Sequence, residues 1–118
     1  MLQANNNIYN STKELKILNF YSDWCPPCHA FMPNFIEAEK TYWNHFDFVA
    51  INSTNNMELF AKYRVMGTPT IIILKWEEII FNKSWVPNWV ELKKIMINLI
   101  WKEPEKKEAK KKKFFWLF

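Results

Sequence analysis

One glycine, two cysteines, two histidines and a single arginine are all that 118 residues contain of these types. Beside this single glycine stand thirteen asparagines and fifteen lysines, a bias read mostly as compositional drift, since asparagine can serve at some turn positions where glycine is usual. Cys25 and Cys28 form one Cys-x-x-Cys unit, too few thiols for a disulfide framework and more in keeping with a reducing compartment than with secretion. No apolar run approaches the ~18 residues that span a bilayer, and residues 1–8 have neither the basic leader nor the continuous apolar segment of a secretory signal. A soluble, cytoplasmic protein is expected. The length excludes two packed domains, and 49% hydrophobic with 18% aromatic residues excludes wholesale disorder. A net charge of +4 suggests a polyanion binder until it is located. Residues 1–101 hold nine cations and nine acids, whereas residues 102–118 hold seven lysines and three glutamates, so the whole excess lies in the tail.

The apolar pattern predicts a buried strand over 15–21, a helix from Pro26 to about Asn44 and a strand over 46–51. A short helix over 56–63, a β-branched central strand over 70–74 and an edge strand over 78–84 follow. Asn88 is placed to cap a last helix whose Trp89, Leu92, Ile95, Met96 and Leu99 make one stripe ending near Trp101. Phe31, Phe35, Ala38 and Tyr42 recur at helical spacing, with Pro33 as an expected kink. Residues 1–13 read as a polar lead-in that would pack weakly as a helix. The alternation, closing with a hairpin and a helix, implies an α/β fold with a mixed sheet covered on both faces.

Trp24-Cys25-Pro26-Pro27-Cys28 lies between the first long strand and the helix that follows it. Cys25 therefore sits at a helix N-terminus, where N–H groups and the positive dipole end favour a thiolate. Such settings lower a thiol pKa from roughly 8.5 to ~3.5–7.5. Cys28 lies one turn behind, placed to resolve a mixed disulfide formed by attack of Cys25. Pro26 and Pro27 stiffen the loop and withdraw two N–H donors. Zinc needs four ligands, and His29, adjacent to Cys28, and His45, at the far end of the helix, are badly placed to complete a tetrahedral site. No metal is expected, and two inert core cysteines are equally disfavoured at this junction.

The stretch Asn19-Phe20-Tyr21-Ser22-Asp23-Trp24-Cys25-Pro26-Pro27-Cys28, with Pro33 and with Gly67-Thr68-Pro69-Thr70, resembles the thioredoxins over residues 2–101. The Trp-Cys-Pro-Pro-Cys variant is similar to those of tryparedoxins, nucleoredoxin and some plant thioredoxins. The resemblance implies a three-layer α/β/α sandwich with a mixed sheet of about four strands, since the chain begins too late for the first edge strand. It also implies a redox-active Cys25–Cys28 disulfide without other cofactor, and a cis Pro69 beside it. Thr68 would pair with an extended substrate segment, and Trp24, Pro26, Pro27 and Trp85 would shape the groove. Gly67 just before this turn agrees with a tight backbone there.

Departures from the family pattern are as informative. The buried Asp that serves thioredoxins as a proton shuttle falls at Asn19, and its Lys partner falls at Ala50, so both members are missing together. Slower resolution by Cys28 at neutral pH is the expected consequence. His29 stands where a Lys is frequent, either modulating the thiols or simply facing solvent. Trp85 replaces a groove Gly, either narrowing the groove or packing at the start of the last helix.

The resemblance implies a monomeric thiol–disulfide oxidoreductase acting on disulfide-containing proteins, with electrons from a thioredoxin-reductase-like or glutathione-linked donor. Two rivals stand beside it: a disulfide oxidant or isomerase, and a binding or assembly module whose dithiol is incidental. The tail, a Lys/Glu run closed by Phe-Phe-Trp-Leu-Phe, suits a solubilising segment, a peripheral attachment to anionic membrane surfaces, or a nuclear-import patch. Specific nucleic-acid binding ranks last, for want of arginines and interleaved stacking aromatics.

Overall fold

In the computed structural model residues 2–3 and 13–101 are described, and the chain divides into two compact units, residues 1–88 and 89–118. The first unit runs β1 (Leu2–Gln3), β2 (Leu15–Tyr21), α1 (Pro26–Tyr42), β3 (Phe46–Asn52), α2 (Met57–Lys62), β4 (Thr70–Lys75) and β5 (Glu78–Ser84). The sheet order is β1-β3-β2-β4-β5, with β2 parallel to β3 and antiparallel to β4, and β4 antiparallel to β5. The four long strands are the mixed sheet expected. The edge strand expected to be missing is present as the two-residue β1, which pairs parallel with Val49 and Ala50. That pairing corrects the helical reading of the lead-in at residues 2–3; residues 4–12, and the tail 102–118, lie outside the described residues.

Strand alternation and register sort the core into two layers. Ile17 and Asn19 align with Phe48 and Ala50 of β3, and with Ile73 and Ile71 of β4. This face meets α1, where Phe35 stacks edge-on against Phe48 at 5.4 Å and Phe31 follows at 5.8 Å from Phe35. The opposite face carries Leu18, Phe20, Val49, Ile51, Ile72 and Leu74, and α2 covers it with Phe60 and Tyr63. Phe20 meets both rings, at 5.1 and 5.8 Å. Fully burying each such aromatic contributes roughly 1.5–3 kcal/mol, which is how a chain with little else to cross-link it holds its layers together. The helices α1 and α2 thus cover the sheet from both sides. In the second unit, α3 spans residues 89–101; of its predicted stripe Leu92 and Met96 are buried, and Trp89, Ile95 and Leu99 half-buried.

Among the described residues no asparagine takes a positive φ. The positive-φ positions among the described residues are Arg64 (54°) and Trp76 (56°), while Gly67 has no positive φ and a Cβ there would meet only Ser84 Oγ at an ordinary 3.7 Å. The tight backbone inferred around Gly67 is therefore not what selects glycine. Arg64 closes α2: its N–H donates to Ala61 O at 3.1 Å, and the Val65 N–H donates to Phe60 O at 2.8 Å, the paired bonds of a Schellman ending. Val65 then packs on the Phe60 cluster. Arg64→Gly removes the left-handed penalty of a side chain and is expected to raise stability by about 1 kcal/mol, or ~4–8 °C in melting temperature. A thermal melt showing no gain would mean that the Arg64 side chain makes a compensating contribution.

Candidate functional site

β2 ends at Tyr21, and four residues later Cys25 caps α1 with extended backbone (φ −114°, ψ 96°). The Cys25 carbonyl accepts from the N–H groups of Cys28 (3.0 Å) and His29 (3.2 Å), and its Sγ accepts from the Cys28 N–H at 3.2 Å. Pro26 and Pro27 occupy the first two helical positions, where an N–H would lack an intrahelical acceptor in any case. Of the first-turn donors only the Cys28 N–H remains, and it points at the Cys25 sulfur. The first turn contains no acidic residue, so nothing there opposes negative charge on that sulfur.

Cys25 and Cys28 are joined in a disulfide. Cys25 is 8% exposed and Cys28 2%, so both are buried and the first keeps slightly more contact with solvent. The long connection through β3 and α2 brings a second segment to the pair: the Thr68–Pro69 peptide bond is cis, and the Thr68 carbonyl oxygen is 3.5 Å from Cys25 Sγ. Ser22 Oγ lies 3.4 Å from Thr68 Oγ1, tying the end of β2 to the same turn. Below it, Thr70 Oγ1 donates to the Gly67 carbonyl at 2.6 Å and lies 3.0 Å from Ser84 Oγ, which itself donates to Pro69 O at 3.4 Å. The last residue of β5 thereby pins the Pro69 turn. Trp85, next in sequence, is half-buried, 5.6 Å from the Phe81 ring and with Lys83 Nζ 5.0 Å from its ring centroid.

Around the rim, Trp24 is 94% exposed, and Pro26 and Pro27 are also exposed. Asp23, next to Trp24, brings a carboxylate close in sequence to the thiols, but Asn52 Nδ2 donates to its Oδ1 at 2.9 Å. His29 donates from Nε2 to the Asp23 backbone carbonyl at 2.8 Å, so the first turn of α1 is laced to the loop that carries Trp24. Beneath α1, Asn19 is fully buried beside Ala50 in the β2–β3 register. Its Nδ2 stands 4.0 Å from Met32 Sδ, and its Oδ1 has no hydrogen-bond partner among the described residues. Met32 follows Cys28 by one turn of α1, so Asn19 underlies the second cysteine's helical face.

Sequence reasoning assigned no role to Ser22, Asn52, Thr70 or Ser84. Asn52 aligns with Tyr21 at the end of β2 and so borders the loop that follows, a register that the structure supplies and hydrophobic periodicity does not. Ser84 needed the tertiary arrangement of β5 and the Pro69 turn. Among the described residues no group of three or more His, Cys, Asp or Glu side chains gathers as a metal site. Likewise no described helix is long and apolar enough to cross a membrane.

A strand, a capping cysteine, a second cysteine one turn on and a cis-proline turn at the sulfur make a distinctive combination, and comparison with known proteins agrees with it. The sequence matches the Thioredoxin family model over residues 3–97. A thioredoxin of Acetoanaerobium sticklandii is 41% identical over 59 residues, covering 50% of this chain and 56% of that protein. A Neurospora crassa thioredoxin is 34% identical over 71 residues, covering 58% and 55%. The chain thus spans about half the length of these curated relatives. Among solved structures, a mutant thioredoxin from Halobacterium salinarum superposes with a TM-score of 0.68 at 25% identity, covering 80% of this chain and 83% of the other. With the matched region running through every element that builds the site, the chain belongs to the thioredoxin family.

Proposed function

We propose that this protein is a thiol–disulfide oxidoreductase that reduces protein disulfides through Cys25 and Cys28. The observation that carries the reading is the placement of the Cys25 sulfur at the cap of α1, facing the Thr68–Pro69 turn at 3.5 Å. In the reduced protein the Cys25 thiolate attacks one sulfur of a substrate disulfide; a Cys25–substrate bond forms, the substrate's own S–S bond breaks, and one thiolate leaves and takes up a proton. Cys28 then loses its proton and attacks Cys25 Sγ, forming the intramolecular disulfide and releasing the second substrate thiol. Two electrons have passed to the substrate, and a thioredoxin-reductase-like or glutathione-linked dithiol donor returns them.

Each site residue has a proposed part in this cycle. An extended substrate segment pairs with the backbone at Thr68 beside Pro69, and Trp24, Pro26, Pro27 and Trp85 form the rim. The His29 bond to Asp23 holds the rim loop in place, and Asn19, which cannot take a proton, leaves Cys28 to be deprotonated by water or by the departing thiolate. The Trp-Cys-Pro-Pro-Cys sequence supports a place near the tryparedoxin and nucleoredoxin type within the family. The experiment is reduction of the interchain disulfides of insulin with dithiothreitol as donor, wild type beside Cys25→Ser. Equal rates would overturn the reading in favour of a binding module. A reduction potential near that of strong disulfide oxidants, about −120 mV, would favour the oxidant alternative.

The functional domain proposed is residues 1–101, monomeric and cytoplasmic, with residues 102–118 as an appended tail. Its seven lysines and terminal aromatic cluster support weak attachment to anionic lipid surfaces, at about 1 kcal/mol per lysine near the surface. Deleting 102–118 is expected to abolish co-sedimentation with phosphatidylserine vesicles and to leave insulin reduction unchanged. Undiminished vesicle binding by the truncated protein would place the attachment elsewhere.

A further inference from the structure

We propose that Met66 is a peroxide-sensitive modification site, and that its conversion to the sulfoxide weakens docking of protein disulfides while leaving the Cys25–Cys28 chemistry intact. The inference rests on the oxidoreductase reading above and concerns a residue to which that reading gives no part. Met66 is 99% exposed and Trp24 94%, the two highest values among the large apolar side chains of the described residues, and each lies within two residues of an atom of the Cys25–Thr68 contact. Trp24 precedes Cys25. Met66 precedes by two residues the threonine whose carbonyl lies at Cys25 Sγ, so its Cα is within about 7 Å of that of Thr68.

The backbone on either side of Met66 is anchored. Upstream, the Val65 N–H donates to Phe60 O at 2.8 Å; downstream, the Gly67 carbonyl accepts from Thr70 Oγ1 at 2.6 Å. Met66 is therefore a large, flexible, apolar side chain held out from a fixed loop and left uncovered. A substrate strand laid along Thr68 would cover it and gain from its burial. The same exposure opens the thioether to small oxidants. The sulfur lone pair attacks one oxygen of hydrogen peroxide; the O–O bond breaks, the S–O bond forms and, after proton transfer, water leaves. Sulfur loses two electrons and the peroxide is reduced. A thiol-dependent sulfoxide reductase reverses the change. The product is a polar acceptor at a place that docking must desolvate, and it opposes docking without reaching the disulfide exchange itself.

The other described methionines serve as internal controls. Met57, at the start of α2, is 66% exposed, Met32 is half-buried beside Asn19 and Met96 is fully buried. The test treats the oxidised protein with hydrogen peroxide, the two cysteines being protected as their disulfide, and maps added oxygen by peptide mass in the wild type, Met66→Leu and Met57→Leu. Steady-state kinetics before and after treatment follow on insulin and on bis(2-hydroxyethyl) disulfide, which is too small to cover Met66. Rapid oxidation at Met66, with the KM for insulin raised about tenfold in the wild type and in Met57→Leu, is expected. Turnover of the small disulfide should stay the same, and Met66→Leu should have equal KM values before and after peroxide. Oxidation of Met66 no faster than of Met96, an unchanged KM in the treated wild type, or an equal rise in treated Met66→Leu would overturn the proposal. Failure of the untreated protein on both substrates is a separate result: it overturns the oxidoreductase reading and the docking claim with it, while the peptide masses alone decide whether Met66 is the reactive position.

Discussion

Cys25→Ser is expected to lower disulfide reduction by at least about 10³-fold, because a serine hydroxyl at this position is not ionised near neutral pH and is a far weaker nucleophile than a thiolate. Cys28→Ser is expected to behave differently. The first attack depends on the Cys25 sulfur, its cap position and the Cys28 backbone N–H that points at it, and this N–H survives the substitution. Mixed-disulfide formation should therefore persist within a few-fold of the wild-type rate, while turnover stops because nothing resolves the adduct. The readout is a covalent complex, cleavable by dithiothreitol, that accumulates with Cys28→Ser and is absent with Cys25→Ser. The asymmetry follows from position: Cys25 holds the helix cap with the Cys28 N–H directed at its sulfur and is 8% exposed, against 2% for Cys28. Accumulation with Cys25→Ser in place of Cys28→Ser would reverse the two roles.

The legible part of the fold was what local pattern determines. The apolar runs at 15–21 and 78–84 coincide with β2 and β5 at both ends, and the central β-branched run extends one residue further, to Lys75. Helix α1 ends at Tyr42 and not near Asn44, because its last carbonyls are closed early: the His45 N–H donates to Tyr42 O at 3.0 Å. The cysteine pair was legible because one strand, one cap and one helical turn fix its geometry within a few residues. The segment that meets it, Thr68 and Pro69, became visible only through resemblance, since the β3–α2 connection separates the two segments in sequence.

Single-residue backbone states and side-chain reach were not legible. Arg64 and Trp76 take positive φ because a helix must end and a hairpin must turn there, not because of their own preferences. Lys16, a charge within the strand read as buried, is itself buried; its ammonium reaches the Lys13 carbonyl at 3.3 Å and lies 5.8 Å from the Trp76 ring centroid. The long stem fills apolar space while the head finds acceptors at the sheet margin. The bond between Asp23 and Asn52 depends on the β2–β3 register, which periodicity alone does not supply.

Asn19→Asp is the substitution expected to couple stability and chemistry most strongly. Asn19 and a carboxylic acid have nearly the same shape, so the protonated variant should fit the site, which already holds an amide oxygen without a partner among the described residues. The ionised form is different. Asn19 is fully buried and its register neighbour in β3 is Ala50, so no cation on that strand compensates the charge. Burial then raises the folded-state pKa of the introduced carboxyl above its unfolded value. The variant should accordingly match the wild type most closely below the ordinary carboxylate range and lose stability as pH rises from there through the raised folded value. A rise of two units corresponds to about 2.7 kcal/mol lost at neutral pH and above. Adding Ala50→Lys should restore part of that loss by supplying a cation in register, and a double-mutant cycle measures the coupling. The same carboxylate, beneath the helical face that carries Cys28, becomes a proton acceptor for the resolving thiol. Resolution of the mixed disulfide near neutral pH should quicken by at least about tenfold, even as the fold is weakened. Turnover unchanged across about pH 6 to 9, with stability following the predicted profile, would show that Cys28 deprotonation does not limit this protein and that the loss of a titratable group at position 19 is neutral for its chemistry.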